Sequence, residues 1–395
     1  MAKIVVQNLT KIYGDEPRKA LELLRDGYSK EEILTRTGQT VAVGGISFEV
    51  KEGETFILMG LSGSGKSTVI RCINRLLEPT TGSICVDGKR VEEMDKRELR
   101  AFRGQKIGMV FQQFALFPHR TVLDNVAFGL ETKGVPKGER YERSEEILVR
   151  VGLAGWKAKR PDELSGGMKQ RVGLARALAV DPDILLMDEP FSALDPLIRN
   201  EMQEELLSLQ QRIKKTIIFV THDLGEGLKL GDRMAIMRDG RIDQTGTGKE
   251  IFSHPANDYV AKFVQKVDVT RMLTAEEIMI QPGEILNLLE GPQLAIRKME
   301  LCDTDYIFVI GRDRKLKGIV WVKDALKLAE KGEKGIQGIL KQADTVHPTT
   351  SIEDIYLRMG RTGRSLAVVD GGGNFMGAVT ARSILSLLAE GRKGP

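Results

Sequence analysis

Eight consecutive residues, Gly60-Leu61-Ser62-Gly63-Ser64-Gly65-Lys66-Ser67, fit the G-x-x-x-x-G-K-[ST] pattern of a phosphate-cradling loop. Glycines let the backbone curl until successive N–H groups point inward, which makes an anion nest at a helix N-terminus. Lys66 adds a point charge for the β- and γ-phosphates of a nucleotide. The Ser67 hydroxyl can ligate Mg²⁺, and Thr68 follows in the same nucleotide-binding set. Two carboxylates stand after an apolar run at Asp188-Glu189. Asp188 can hold Mg²⁺ through water. Glu189 is placed to polarise a water for in-line attack on the γ-phosphate, where positioning and electrostatics supply most of the catalysis. Gln112 and His222 each end another apolar run, so both can reach the γ-phosphate, and Gln112 is a further Mg²⁺ candidate. Ser165-Gly166-Gly167 is a second anion-binding helix start. One nucleotide cannot easily use two such loops of one subunit.

These residues need strands and helices to hold them. Thr55–Met59 reads as a buried strand into the loop, and the residues from Thr68 to Ile73 as a helix out of it. Ile107–Phe111, Asp183–Asp188 and Thr216–Thr221 are further apolar strands that end at Gln112, at the carboxylate pair and at His222. Apolar strands alternating with helices predict a parallel sheet with its chemistry at the strand C-terminal ends. A strand over 3–13 ends at Tyr13-Gly14, and a return strand runs over 41–50. Between them, residues 15–40 form a helical insertion, with Ser29-Lys30-Glu31-Glu32 as a capping box. Residues 114–163 are mostly helical in pattern, and a small-residue helix follows Ser165. Past residue 267 the character changes. Tyr306–Ile310 with Leu316–Leu326 echoes Ser365–Val369 with Phe375–Leu385, which predicts one small αβ unit used twice.

The chain has 395 residues, 41% hydrophobic and 29% charged, as expected of a soluble globular protein of two or three domains. The net charge of +4 is too small to argue for nucleic acid, and no nucleic-acid partner is expected. Cys72, Cys85 and Cys302 are far apart and show neither zinc spacing nor a disulfide framework, which suits a reducing cytosol. The N-terminus reads as a strand, not a signal peptide, and no apolar run is long enough to span a membrane. Any membrane role therefore comes through a partner.

The phosphate loop, Gln112, the Leu164–Gln170 segment, Asp188-Glu189, Ser192-Ala193-Leu194-Asp195 and His222 stand in the order of an ABC-transporter ATPase, and residues 3–265 resemble that family. The resemblance implies an α/β P-loop ABC-ATPase domain with a mixed sheet and a helical subdomain, over residues 1–266, binding ATP with Mg²⁺. It implies a head-to-tail dimer, in which Ser165, Gly166 and Gly167 of one copy close over the nucleotide held by Gly60, Ser62, Gly63, Ser64, Gly65, Lys66, Ser67 and Thr68 of the other. Tyr13 corresponds to the aromatic that stacks on adenine, and Ser192–Asp195 to a segment that communicates between the two sites.

A narrower resemblance rests on the insertion, on residues 114–126 and on the repeated tail. Together they are similar to the ATPase subunits of glycine betaine/proline betaine importers. That implies a membrane permease contacted by residues 114–126, an external substrate-binding protein, and a place on the cytoplasmic face of the inner membrane. The tail, residues 267–395, resembles a tandem CBS module, in which an Asp at the last helix holds the ribose of an adenosine ligand. Asp324 stands at that place in the first repeat, and Ser383 in the second. Residues 312–341 hold nine Lys and Arg against four Asp and Glu. They are expected to face anionic lipid or an anionic ligand, at about 1 kcal/mol per cation near acidic lipid.

Overall fold

The computed structural model describes residues 2–265 and 274–384. Contacts divide the chain into two units, Met1–Val264 and Gln265–Pro395. The expected boundary at 266/267 lies outside the described residues.

The first unit carries strands β1 (Ala2–Tyr13), β2 (Thr40–Lys51), β3 (Thr55–Gly60), β4 (Thr81–Val86), β5 (Lys89–Arg90), β6 (Ile107–Val110), β7 (Ile184–Asp188), β8 (Thr216–Thr221), β9 (Arg233–Arg238) and β10 (Arg241–Gly246). One sheet is antiparallel in the order β2-β1-β4-β5; the other runs β10-β9-β3-β8-β7-β6 and is parallel except at β9/β10. Every residue of β3, β7 and β8 is buried, as continuous apolar runs in a covered parallel sheet require. Ile4, Phe48, Phe56, Ile70 and Ile218 share the core that joins the two sheets, and Phe48 of β2 stacks on Phe56 of β3 at 5.2 Å.

A second core, with Val126, Leu130, Leu148 and Val172, unites the helices Val122–Thr132, Lys137–Arg150 and Gly166–Ala179. The helical expectation over 114–163 fails at its start, because residues 111–121 are irregular. Phe114 and Ala115 both adopt left-handed backbone, at φ 55° and 49°, which no helix continues through. Arg176 holds this turn by donating to the carbonyls of Ala115 at 2.5 Å and Phe114 at 3.0 Å.

The insertion forms the helices Pro17–Arg25 and Lys30–Thr37, the second opened by a reciprocal cap between Ser29 and Glu32. Ala20 and Ile33 are fully buried against Ile12 and Val41. Tyr13 and Thr40 are direct partners in the β1/β2 hairpin, so the insertion leaves and rejoins the sheet at one point.

The second unit repeats one fold. β11 (Leu286–Asn287), the helix Pro292–Cys302, β12 (Tyr306–Ile310), β13 (Leu316–Trp321) and the helix Val322–Glu330 make the first copy. About 60 residues later come β14 (Thr345–Val346), the helix Ile352–Thr362, β15 (Leu366–Val369) and β16 (Phe375–Val379). A helix then opens over 381–384; Leu385 lies outside the described residues. The two three-stranded sheets have the same order, and Phe308, Ile319, Ala367 and Ala378 pack between them. The chain enters by the second copy. Ala275 and Ile278 belong to that copy's core, and Ile280 exchanges both backbone hydrogen bonds with Ala378 at 2.9 Å.

Candidate functional site

β3 delivers the phosphate loop to the start of the helix Lys66–Ile73. Gly60 and Gly65 have φ 154° and 97°, and a Cβ there would lie 2.2 Å from the Met237 carbonyl oxygen and 2.4 Å from that of Ala42. Only glycine fits either position. Lys66 is buried, and its ammonium donates to the carbonyls of Gly60 at 2.8 Å and Leu61 at 3.0 Å. Burial lowers its pKa against the opposing pull of Glu189, 3.9 Å away, and of Asp188.

The Ser67 hydroxyl donates to Asp188 at 2.6 Å, and Arg71 pairs with the other oxygen of that carboxylate at 3.2 Å. Glu189 has left-handed backbone, φ 45°, and its N–H donates to Val220 at 3.0 Å. Its Oε2 accepts from Gln112 Nε2 at 3.3 Å and lies 3.2 Å from His222 Nδ1. Ser192 donates to the Glu189 carbonyl at 3.0 Å and accepts from Gln112 at 3.3 Å. The ends of β6, β7 and β8 thus bring Gln112, Glu189 and His222 together.

These side chains border a cavity of about 560 Å³. Its walls include Tyr13, the phosphate loop with Ser67 and Thr68, Gln112 and Glu189. Gly60, Ser64, Asp188 and His222 are not among its lining residues, although Ser67 and Glu189 link Asp188 and His222 to it. Ser165, Gly166, Gly167 and Asp195 also do not line it. Ser165 caps the helix Gly166–Ala179 through Met168 N at 3.3 Å, and Asp195 caps Pro196–Ile213 through Ile198 N at 3.1 Å. The two caps neighbour each other, since a Cβ on Gly167 would lie 2.4 Å from Ile198 Cγ2.

Sequence reasoning missed seven lining residues, Lys30, Glu31, Leu34, Thr40, Val41, Ala42 and Asp239. For the residues of the insertion, the available signal was its site directly after Tyr13. It also missed the buried Glu226, which accepts from Thr221 at 2.6 Å and from Gln203 at 3.3 Å behind β8, and whose pKa burial raises. A carboxylate four residues past His222 was the only hint. Among the described residues no group of three His, Cys, Asp or Glu side chains gathers as a metal site.

A family model for the ABC transporter matches residues 43–192, and one for the CBS domain matches 338–390. The glycine betaine transport ATP-binding protein OpuAA of Bacillus subtilis (strain 168) is 48% identical over 388 residues, 98% of this chain and 92% of that one. The glycine betaine/proline betaine transport system ATP-binding protein ProV of Escherichia coli (strain K12) is 45% identical over 98% of this chain and 97% of its own length. The chain belongs to this family of ABC transport ATP-binding proteins. A dimeric ATP-binding cassette solved in a post-hydrolysis state with ADP and Pi superposes with a TM-score of 0.53 at 33% identity, over 62% of this chain and 98% of that one. As a member of the family the protein binds nucleotide and couples ATP hydrolysis to transport. The CBS match reaches only the second copy of the tail, whereas β11–β13 and their helices show the same fold in the first.

Proposed function

We propose that this protein powers the import of glycine betaine, proline betaine or a related quaternary amine. It does so through a membrane permease supplied with solute by an external binding protein. The full-length likeness to relatives named for those solutes carries the reading. The subunit is peripheral, on the cytoplasmic face where ATP is available; no described helix is long and apolar enough to cross a membrane.

ATP lies in the cavity with its base on Tyr13 and its phosphates in the loop. Glu189 accepts a proton from the attacking water, and Gln112 and His222, both within 3.3 Å of its carboxylate, orient it. Mg²⁺ suits the oxygen donors at hand, since the Ser67 hydroxyl and Asp188 are already 2.6 Å apart and Gln112 borders the same space. When bound it neutralises phosphate charge. Ser165, Gly166 and Gly167 serve the nucleotide of a second copy, since they form a second helix start for an anion, capped by Ser165, and one nucleotide cannot easily use two such starts of one subunit. Residues 1–266 are then the ATPase domain and 267–395 the regulatory one. Asp195 and Ser192 stand between the two nucleotides of the dimer.

In the tail, Lys323, Lys327, Lys331 and Lys334 are exposed, which suits an anionic lipid surface. Asp324 is engaged by Lys341 at 2.6 Å. An adenine nucleotide held there has to displace that ion pair, so the lipid reading is favoured.

Glu189→Gln keeps shape and removes the base. The expected result is ATP binding without hydrolysis, with turnover down by about 10²–10⁴-fold. Near-normal ATPase activity would reassign the role.

A further inference from the structure

The insertion has no part in the chemistry described so far, yet its position in the sheet is constrained. It is spliced between Tyr13 and Thr40, which pair directly across the β1/β2 hairpin. Whatever follows Tyr13 must therefore leave beside that ring. The helix Lys30–Thr37 then returns along the same cavity, which Lys30, Glu31 and Leu34 line together with Tyr13.

Two features separate this from a loose surface excursion. The helix is anchored, with Ile33 fully buried, Tyr28 stacked under the Arg36 guanidinium at 4.2 Å, and both ends capped. The stem of Lys30 rests on the Asp239-Gly240 turn, whose Gly240 N–H donates to the phosphate-loop residue Ser64 at 3.2 Å. Inward of this anchor the helix leaves apolar surface open. Leu34 is 48% exposed and Tyr13 is 40% exposed, and both border the cavity. Two large apolar side chains kept in water on the wall of a cavity that also holds the phosphate loop suit a flat heteroaromatic ring.

We infer that the helix Lys30–Thr37 is the second wall of the base subsite, with Leu34 covering the nucleobase that Tyr13 stacks on. This rests on the reading of the cavity as the ATP site. The triphosphate binds the glycine-rich loop, and the insertion adds affinity for the base alone.

The test compares two ligands in the full-length chain carrying Glu189→Gln: ATP, which has a base, and inorganic tripolyphosphate, which has none. Leu34→Ala leaves the helix with a better helix former at an exposed position. ATP affinity is expected to fall by about 5- to 20-fold, the range for losing part of a leucine's apolar contact. Tripolyphosphate affinity should not change, and Leu34→Met should restore ATP binding to within about twofold. An equal loss for both ligands would mean that the helix acts only by bracing the loop, and an unchanged ATP affinity would mean that Leu34 covers nothing; either result overturns the inference. Lys66→Ala in the same background checks the parent reading separately. If it leaves ATP affinity intact, the cavity is not the nucleotide site, whatever Leu34 does.

Discussion

Arg176 spends its guanidinium on two backbone carbonyls, and burial lowers its pKa. The carbonyls belong to Phe114 and Ala115, the left-handed pair that turns the chain just after Gln112. Left-handed backbone in residues with a side chain costs about 1–2 kcal/mol each, so the turn persists only if something over-determines it. Arg176 is therefore a positioning residue for Gln112, reached from the helix that Ser165 caps. Arg176→Met strips both carbonyls of their donor, a loss of about 1–3 kcal/mol. The expected result is ATP bound nearly as tightly but turned over at least several-fold more slowly, with Arg176→Lys restoring part of the rate. A wild-type rate in the Met variant would show that Gln112 needs no such brace. The sequence displayed Gln112 as a strand-end amide, but not this turn, because neither Phe114 nor Ala115 is a residue that announces positive φ. The Asp239-Gly240 turn, at φ 48° and 74°, had a signal in its Asp-Gly pair after the apolar run 234–237, but the sequence reading passed over it.

At the level of elements, the strands that carry the chemistry were legible because burial on both faces leaves them no polar position, as in Ile217-Ile218-Phe219-Val220 of β8. The two-residue β5 was not, since its exposed Lys89-Arg90 pair carries no period. Asp183 shows how the strand edges are tied. Its carboxylate binds Lys106 at 2.5 Å and Lys3 at 3.7 Å, linking the start of β7 to β6 and β1. The Lys106 hydrogen bond lowers the Asp183 pKa, with Lys106, Lys3 and Lys215 adding charge attraction. A folded-state pKa below the unfolded one adds stability that is complete above the unfolded value and is lost as pH falls through the folded value. The wild type should therefore lose stability as pH drops below about 4, and Asp183→Asn should flatten that part of the curve while lowering the plateau at neutral pH. Parallel acid limbs in urea titrations of the two proteins would remove Asp183 from the account.

At the scale of the molecule, the proposed dimer has a distinct signature. Lys66→Ala damages the loop of its own copy, and Ser165→Arg places bulk at an exposed helix start that would cover the other copy's nucleotide. In a forced heterodimer of the two variants, head-to-tail sites leave one composite site with both lesions and one with none. One nucleotide per dimer is expected to remain. If each copy works alone, both sites are damaged and neither holds ATP.

The tail has a consequence for how the chain is made. An early residue of the tail pairs with its last described strand: Ile280 sits on Ala378, and Gln281 donates to the Met376 carbonyl across 95 residues of sequence. Translation delivers those partners in order, at roughly 5–20 residues per second. The entry segment therefore leaves the ribosome about 5–20 s before the strand that receives it has been synthesised. During that interval Ile280 lacks its backbone partner Ala378. A chain ended just before residue 375 has every described strand of its ATPase unit but lacks β16, so its tail cannot close.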